Sequence, residues 1–374
     1  MFENLLPDSD ALCRRVAERV GAGGTDAYSL LAAIGRDCVG ALQFLGEGDL
    51  VTDDWGNLSG EPVDEAAIEK ILLNLSVAPL GLQRDDDFRI SIAGAQGKTA
   101  LLWCGGQWIK PHGTTPTTHL FKTPIGQFSN GMDLSGSVEN EYFCLRLLKA
   151  LGFAVNDAEV RTFGRAKALV VTRFDRAWEG KRLIRLPQED CCQALGVPPA
   201  RKYQSEGGPG VSDIAGLLKG ADSPREDQAT LFKAQLVFWL LGATDGHAKN
   251  FSIFLRPGGR YALTPLYDVL SVQPTLDRRQ IERKQMKMAM ALGNKNHYRV
   301  DDIQARHFVQ SAGRAGVPLE LVQRAMASVS GDIDAALETV AGELPDGFPG
   351  ALQDSISNGV RARLRQLNLG LSAT

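Results

Sequence analysis

The sequence contains no long hydrophobic run. Nothing in it approaches the roughly 20 consecutive apolar residues that a membrane-spanning helix needs. The start, MFENLLPDSD, is acidic and lacks a signal-peptide pattern. Histidine is scarce, with five among 374 residues. The six cysteines (Cys13, Cys38, Cys104, Cys144, Cys191 and Cys192) form no C-x-x-C pair. This argues against a zinc site and a disulfide framework, and for reduced, mostly buried thiols in a cytoplasmic protein. Net charge is also lacking: 41 Lys and Arg stand against 44 Asp and Glu, giving −3. No overall basic field points to nucleic acid. What remains is ample apolar material, 44% of the residues, enough for a large core and two domains.

The densest chemistry lies in Gly242 to Ser271, GATDGHAKNFSIFLRPGGRYALTPLYDVLS. Asp245 is followed five residues on by Asn250, and Asp268 comes after a hairpin-like segment. His247 and Lys249 sit between the first two. One carboxylate can accept a hydroxyl proton. The asparagine and the second carboxylate offer the oxygen ligands that a hard cation such as Mg²⁺ prefers. Protein kinases divide the labour in this way, although the usual H-R-D and D-F-G neighbours are missing here. An Asp and an Asn five apart are common in any loop, so the setting matters. The apolar run Phe232 to Leu241 reads as a buried helix ending just before Asp245. Phe251–Leu255 and Tyr261–Leu263 read as strands about a Pro-Gly-Gly turn.

Upstream, Leu12, Val16 and Val20 repeat at helical spacing, Tyr28–Ile34 and Ala66–Leu75 read as further helices, and Val39–Leu45 reads as a strand. Residues 46–62 read as a polar loop. Phe88–Ile92 reads as a strand opening into SIAGAQGKTALLW. The form G-x-x-x-x-G-K-[ST] would need glycine where Ile92 stands, and a strand rather than a helix follows Thr99. The segment is then either a glycine loop lying over nucleotide phosphates or an ordinary strand turn. Lys122 ends an apolar strand, His119–Lys122. Glu139 or Glu141, in the amphipathic helix Glu139–Leu151, is a candidate to pair with it, though both also suit a helix N-terminus. Ala168–Phe174 reads as a buried strand, with Leu183–Leu186 a second strand beyond a turn. Past residue 187 the pattern becomes helical, at Gln188–Leu195, Ser212–Leu218, Gln228–Leu241 and most of 301–370. The expected fold is therefore α+β and two-lobed, with a mixed α/β lobe at 1–187 and a mainly α-helical lobe at 188–374. Arg278, Arg279, Arg283, Lys284 and Lys287 make a basic stretch, read first as solvated. Met286, Met288, Met290 and Leu292 alternate as in a half-buried strand.

The stretches FENLLPDS (2–9), IGRDCVGA (34–41), FRISIAGAQGKTALL (88–102), TPTTHLFKTPIG (115–126), NEYFCLRLLKALG (140–152), RLPQEDCCQALG (185–196), KYQSEGGPG (202–210), GATDGHAKNFS and LTPLYD occur in this order along the chain. Together they resemble the HipA family of serine/threonine kinases, the toxins of HipA–HipB toxin–antitoxin modules. The resemblance implies a protein-kinase-like fold using ATP and Mg²⁺. It makes Asp245 the catalytic base and Asn250 and Asp268 the metal ligands. Lys122 becomes a phosphate contact, and Ala93, Gly94, Ala95, Gln96, Gly97, Lys98 and Thr99 the phosphate loop. Thr172 and Phe174 fall at the adenine hinge, and His247 and Lys249 join the nucleotide site. Ser91 matches the family's autophosphorylated serine, whose modification ejects the loop and switches the kinase off.

The same resemblance implies two kinds of partner: an aminoacyl-tRNA synthetase substrate (glutamyl-tRNA synthetase foremost) and a HipB-like helix-turn-helix antitoxin bringing indirect DNA association; the lack of a long apolar run implies no membrane. Phosphorylating the synthetase would block translation and favour dormancy. Gly97 and Thr172 depart from the glutamates common in the family. Family members usually carry a small β-rich segment before FENLLPDS. The expectation here is either a separate small protein replacing it or a truncated chain. The competing reading is a non-catalytic kinase fold that serves as a co-repressor surface for a DNA-binding antitoxin.

Overall fold

The structure, a computed structural model, describes residues 1–46, 58–82, 88–93 and 96–372. The chain forms two compact units, one comprising Met1–Ile125, Asn156–Glu189 and Pro198–Ala200, the other Gly126–Val155, Asp190–Val197 and Arg201–Thr374. A single cut after residue 187 does not describe this division. The segment 126–155 leaves the first unit, because the apolar stripe of its helix Ser137–Ala150 (Phe143, Cys144, Leu147, Leu148) is buried in the core of the second.

Among the described residues, the first unit is built on a six-stranded antiparallel sheet. Its order is Gly60–Val63, Gln107–Pro111, Lys98–Cys104, His119–Lys122, Ala166–Thr172, Ala158–Phe163. The central strands are apolar and partly β-branched (KTALLWC, AKALVVT), as strands covered on both faces should be. Register places Lys98 opposite Lys122, and Lys122 opposite Leu169. Leu101, Phe121, Ala168 and Val170 pack with Ile68 and Leu72 of the helix Glu65–Leu73. Ala100 joins a separate cluster with Leu5, Val16, Leu31, Ile34, Ile90 and Ile92. The helix Asp10–Val20 in that layer starts where Ser9 Oγ accepts from the Leu12 amide and stops at Gly21, whose φ is 69°.

Two expected strands are absent. Val39–Leu45 forms no strand, and Phe88–Ile92 makes only an isolated parallel bridge from Ile90 to Asp37. Phe88, Ile90 and Ile92 are held by burial rather than by a ladder, whereas Val39–Leu45 is mostly half-buried. Of the expected loop 46–62, residues 47–57 lie outside the described residues, and Gly60–Val63 is an edge strand.

The first unit also buries an ion network. Asp37 accepts from Arg176 at 2.8 Å, Arg185 at 3.1 Å, Arg173 at 3.3 Å, and the Thr117 hydroxyl at 2.7 Å. Asp175 accepts from Arg173 at 2.7 Å, Arg176 at 2.9 Å and the Gly40 amide at 2.7 Å. Burial acts to raise the Asp37 carboxyl, but Arg176, Arg173 and Arg185 outweigh it and hold the group far below the usual carboxylate range.

The second unit is built around the helix Pro224–Leu241, buried on every side from Ala234 onward. Trp239 Nε1 donates to the Val300 carbonyl at 2.9 Å. The hairpin Ser252–Arg256/Arg260–Leu263 turns at Gly258 and Gly259, both with positive φ. The strand Lys287–Leu292 is buried at every position from Met288 on. It is therefore not the half-buried strand its alternation suggests, since Ala289 and Ala291 are small enough to be covered on the other face. Only Cys191–Ala194 of the expected helix Gln188–Leu195 is helical.

Replacing Asp37 with Asn would leave buried Arg173 and Arg176 sharing Asp175 and would take from Arg185 the carboxylate it contacts. The expected loss is about 3–5 kcal/mol of first-unit stability, read by urea unfolding. Asp37 has a depressed pKa, so its contribution is present at neutral pH. It fades as pH falls below the ordinary carboxylate value of about 3.9. An Asp37→Asn protein as stable as the parent would refute this account.

Candidate active site in the second unit and anion-binding loop in the first

The C-terminus of the buried helix sets the first group of residues. Gly242 takes φ 65° and closes the helix, its amide donating to the Phe238 carbonyl. A side chain there would also strike Met286 Cε at 2.9 Å. Arg363 caps the same end, giving Nε to the Leu240 carbonyl at 2.7 Å. The chain then emerges with Asp245 in solvent, its side chain 60% exposed.

Asn250 is 5% exposed. Its Nδ2 donates to the main-chain carbonyl of Asp245 at 2.9 Å and to that of Asp268 at 3.3 Å. One side-chain amide thus ties two loops 18 residues apart. Because the nitrogen is committed to two acceptors, the amide orientation is fixed and Oδ1 is the atom offered outward. Asp268 is exposed and takes φ 58°, a left-handed conformation uncommon for a residue with a side chain. Ser271 holds the far end of this loop, donating its hydroxyl to the Leu241 carbonyl at 2.6 Å and its amide to Asn140 Oδ1 at 2.9 Å.

The Asn250 amide thus ties the main chain at Asp245 to the main chain at Asp268. An amide oxygen and an exposed carboxylate form an all-oxygen donor set. That suits Mg²⁺, which takes one or two protein oxygens and keeps waters or phosphates for its other positions.

His247 is buried beside Asp245, its Nε2 3.9 Å from Oδ1, with its ring edge-on to Tyr203. Lys249 is buried and meets the Asp190 carboxylate at 3.3 Å. Burial raises the Asp190 pKa, and Lys249 opposes that rise. Sequence reasoning missed Tyr203, whose hydroxyl donates to Asp245 Oδ1. It lies in the KYQSEGGPG stretch, which gave no hint of the role because only the fold brings it 42 residues along the chain to Asp245.

In the first unit, Lys98 and Lys122 are buried and directly opposed on neighbouring strands, so their side chains share one face. Like charges so placed repel, and an anion between them would relieve the repulsion. Lys98 Nζ donates to the Ala93 carbonyl. Gly97 is held through its carbonyl, which accepts from the Thr123 amide and hydroxyl, both at 3.0 Å. Gln96 Nε2 donates to the Thr123 carbonyl at 2.5 Å. Thr99 turns away, giving its hydroxyl to the Leu80 carbonyl at 2.8 Å. Gly94 and Ala95 lie outside the described residues.

Ser91 is fully buried, donating Oγ to the Leu5 carbonyl at 2.7 Å and its amide to the Asp37 carbonyl at 3.1 Å. Thr172 is exposed, and its main chain is taken: its amide donates to Asp157 and its carbonyl accepts from Asn156. Phe174 is half-buried beyond it. Glu139 and Glu141 are both buried, in a helix of the second unit.

The model of the HipA-like C-terminal domain matches residues 90–337, two thirds of the sequence. The chain belongs to the HipA family. The family's N-terminal domain model matches residues 1–45. The Sinorhizobium fredii protein Y4mE is 37% identical over 351 residues, covering 92% of this chain and 78% of its own. The serine/threonine-protein kinase toxin HipA of Shewanella oneidensis is 29% identical over 355 residues, covering 91% and 77%. A solved complex of Shewanella oneidensis MR-1 HipA, HipB and operator DNA superimposes with TM-score 0.81 at 26% identity, covering 100% of this chain and 86% of that one. The HipA fold here is α+β and protein-kinase-like, as the sequence implies.

Asn250→Asp keeps an oxygen ligand but removes the amide donor from both carbonyls. Thermal unfolding should show a loss of about 1–3 kcal/mol. An unchanged melting temperature would mean that the amide does not hold the two loops.

Proposed function

We propose that the protein is an ATP- and Mg²⁺-dependent serine/threonine protein kinase and the toxin of a toxin–antitoxin module. The observation that carries this reading is the Asn250 amide joining the Asp245 and Asp268 loops through their main-chain carbonyls, with both aspartates exposed. Asp245 takes the proton from a substrate serine. The serine oxygen forms a bond to the γ-phosphorus, and the bond to the bridging oxygen breaks to leave ADP. Tyr203 orients the Asp245 carboxylate through its hydroxyl. Lys122, with Lys98 opposite it, holds phosphate oxygens, and Phe174 borders the adenine. Asn250 and Asp268 would hold Mg²⁺, which neutralises phosphate charge. His247 supports Asp245 from beneath, and Lys249 acts by steadying Asp190.

The substrate class that family resemblance supports is an aminoacyl-tRNA synthetase, glutamyl-tRNA synthetase foremost, in the cytoplasm, with growth arrest as the outcome. Among the described residues, no helix is long and apolar enough to cross a membrane. The solved Shewanella complex supports a HipB-like antitoxin as a partner, with DNA contacted through it. A small β-rich protein acting in trans is a further partner to test. The co-repressor reading gains little from the basic stretch, where Arg278 faces Asp133, Arg283 faces Asp301 and Lys284 faces Glu282.

Incubation with [γ-³²P]ATP, Mg²⁺ and candidate synthetases tests the reading. Asp245→Asn should lower transfer by roughly 10²–10⁴-fold while melting like the parent, and a chelator should abolish it. Full activity in Asp245→Asn would refute the assignment.

Ser91 is the proposed self-inactivation site. A phosphate cannot replace its hydroxyl hydrogen bond to Leu5 in a fully buried position without displacing the segment. Mass mapping should therefore find phosphate on Ser91 in the active protein only. Hydrogen exchange across 88–93 should rise in the phosphorylated form. Phospho-Ser91 with unchanged exchange would show that the segment stays in place.

A further inference from the structure

We propose that Arg363, on the helix Gly350–Ser372, is a positioning residue for phosphoryl transfer that holds the chain before Asp245 to the chain after Asp268; this rests on the kinase assignment. Leu240 lies five residues before Asp245, and Gln273 five residues after Asp268. Arg363 Nε donates to the Leu240 carbonyl at 2.7 Å, and Nη1 donates to Gln273 Oε1 at 2.8 Å. One planar fork therefore joins the end of the helix Pro224–Leu241 to the start of the helix Gln273–Asp277. Between these points the two segments are tied directly. Ser271 Oγ donates to the Leu241 carbonyl at 2.6 Å, and the Val272 amide donates to the Gly242 carbonyl at 3.0 Å. Arg363 extends that seam by one residue on each side and fastens it to a third helix.

The guanidinium is an expensive group to place there. Arg363 is 8% exposed. Both its acceptors are uncharged oxygens, and its Nη2 is buried with no acceptor among the described residues. Burial pulls its pKa down to about 10, with Asp301 and Asp277 opposing the fall, so it stays charged at neutral pH. The carbonyl end of the helix Pro224–Leu241 supplies the partial negative charge that favours it. A core that needed only filling would be served as well by an apolar side chain. An apolar side chain could not reach two acceptors on different segments.

Gly359 keeps the space for this fork. It lies one turn before Arg363 inside the helix, where glycine is disfavoured relative to alanine. Its φ is not in the left-handed region, so its backbone does not demand glycine. A Cβ there would meet Gln273 Cγ at 2.7 Å and Arg363 Nη2 at 2.8 Å. Gly242 borders the same nitrogen, which a Cβ at 242 would approach to 3.4 Å. An alanine at 359 would therefore push on both partners of the Arg363–Gln273 bond.

The test reads rate, saturation and local opening on the full chain. With glutamyl-tRNA synthetase as acceptor and Mg²⁺-ATP varied, Arg363→Met should lower kcat by about 10²-fold. KM for ATP should stay within about twofold, because alignment is lost rather than nucleotide contacts. Arg363→Lys keeps the charge at the helix end and should come back to within about tenfold of the parent. Gly359→Ala leaves Arg363 in the chain and should lower kcat by about tenfold. Hydrogen exchange without ATP reads the positioning alone. In Arg363→Met the amides of Gly242, Ala243, Ser271 and Val272 should exchange at least about tenfold faster, while those of the hairpin Ser252–Arg256/Arg260–Leu263 keep the parental rate. A parent that transfers no phosphate would refute the kinase assignment and with it the role in transfer, while the exchange rates would still show whether Arg363 holds the two segments. Parental kcat in Arg363→Met, a loss carried by KM, or no recovery in Arg363→Lys would each overturn the proposal. So would exchange that quickens equally in the hairpin, as global destabilisation produces. If Arg363→Met does not fold, parental kcat in Gly359→Ala overturns it.

Discussion

One side-chain amide holds the second unit's reactive groups in register. Asn250 Nδ2 has two acceptors, the carbonyls of Asp245 and Asp268, and beside it the Tyr267 hydroxyl donates to the Lys249 carbonyl at 2.7 Å. A buried donor of this kind must be satisfied, so the two loops are fixed at the distance one amide can bridge. The bond is possible because the helix Pro224–Leu241 is buried on every side from Ala234 onward and cannot shift in its core, which places Asp245 at a fixed exit. Gly242 and Arg363 complete that exit by ending the helix and satisfying its last carbonyls. Ser271 and Asn140 do the same for the loop carrying Asp268.

The first unit is organised around charge. Asp37 and Asp175 neutralise three buried arginines at one side of the sheet. Lys98 and Lys122 face each other on adjacent central strands. The first arrangement is closed and serves the fold. The second places two cations on one face and is suited to an anion. Asp37 links the first arrangement to Ser91 as well, since its carbonyl holds the Ser91 amide while its carboxylate holds the arginines. The N-terminal turn Phe2–Leu5 completes the enclosure of Ser91 through the Leu5 carbonyl. Family membership gives these residues their proposed roles, and the geometry gives each role a physical basis.

Much was legible beforehand. The buried helix before Asp245, the hairpin before Asp268 and the strand ending at Lys122 all follow from local periodicity and turn chemistry, which the sequence carries directly, and the strand expected at Ala168–Phe174 runs Ala166–Thr172. The spacing of Asp245 to Asn250 suggested metal chemistry because both lie in one short loop. The strand expected at Phe88–Ile92 is absent because an apolar run specifies burial, and Phe88, Ile90 and Ile92 are buried without joining a ladder beyond one bridge. The strand Lys287–Leu292 was misread as half-buried because alanine fits either a covered or an open face.

Composition and local pattern by themselves determined the fold class, the candidate catalytic residues and the absence of a long apolar span. Tertiary structure alone decided the rest: that Tyr203 reaches Asp245, that Asn250 spends its nitrogen on two carbonyls, that Lys249 pairs with Asp190, and that the helix Ser137–Ala150 belongs to the second unit. The physical reason is the same in each case. Hydrogen bonds and ion pairs form between groups far apart in the chain only after the core has closed, and a one-dimensional pattern records burial but not the identity of the neighbour.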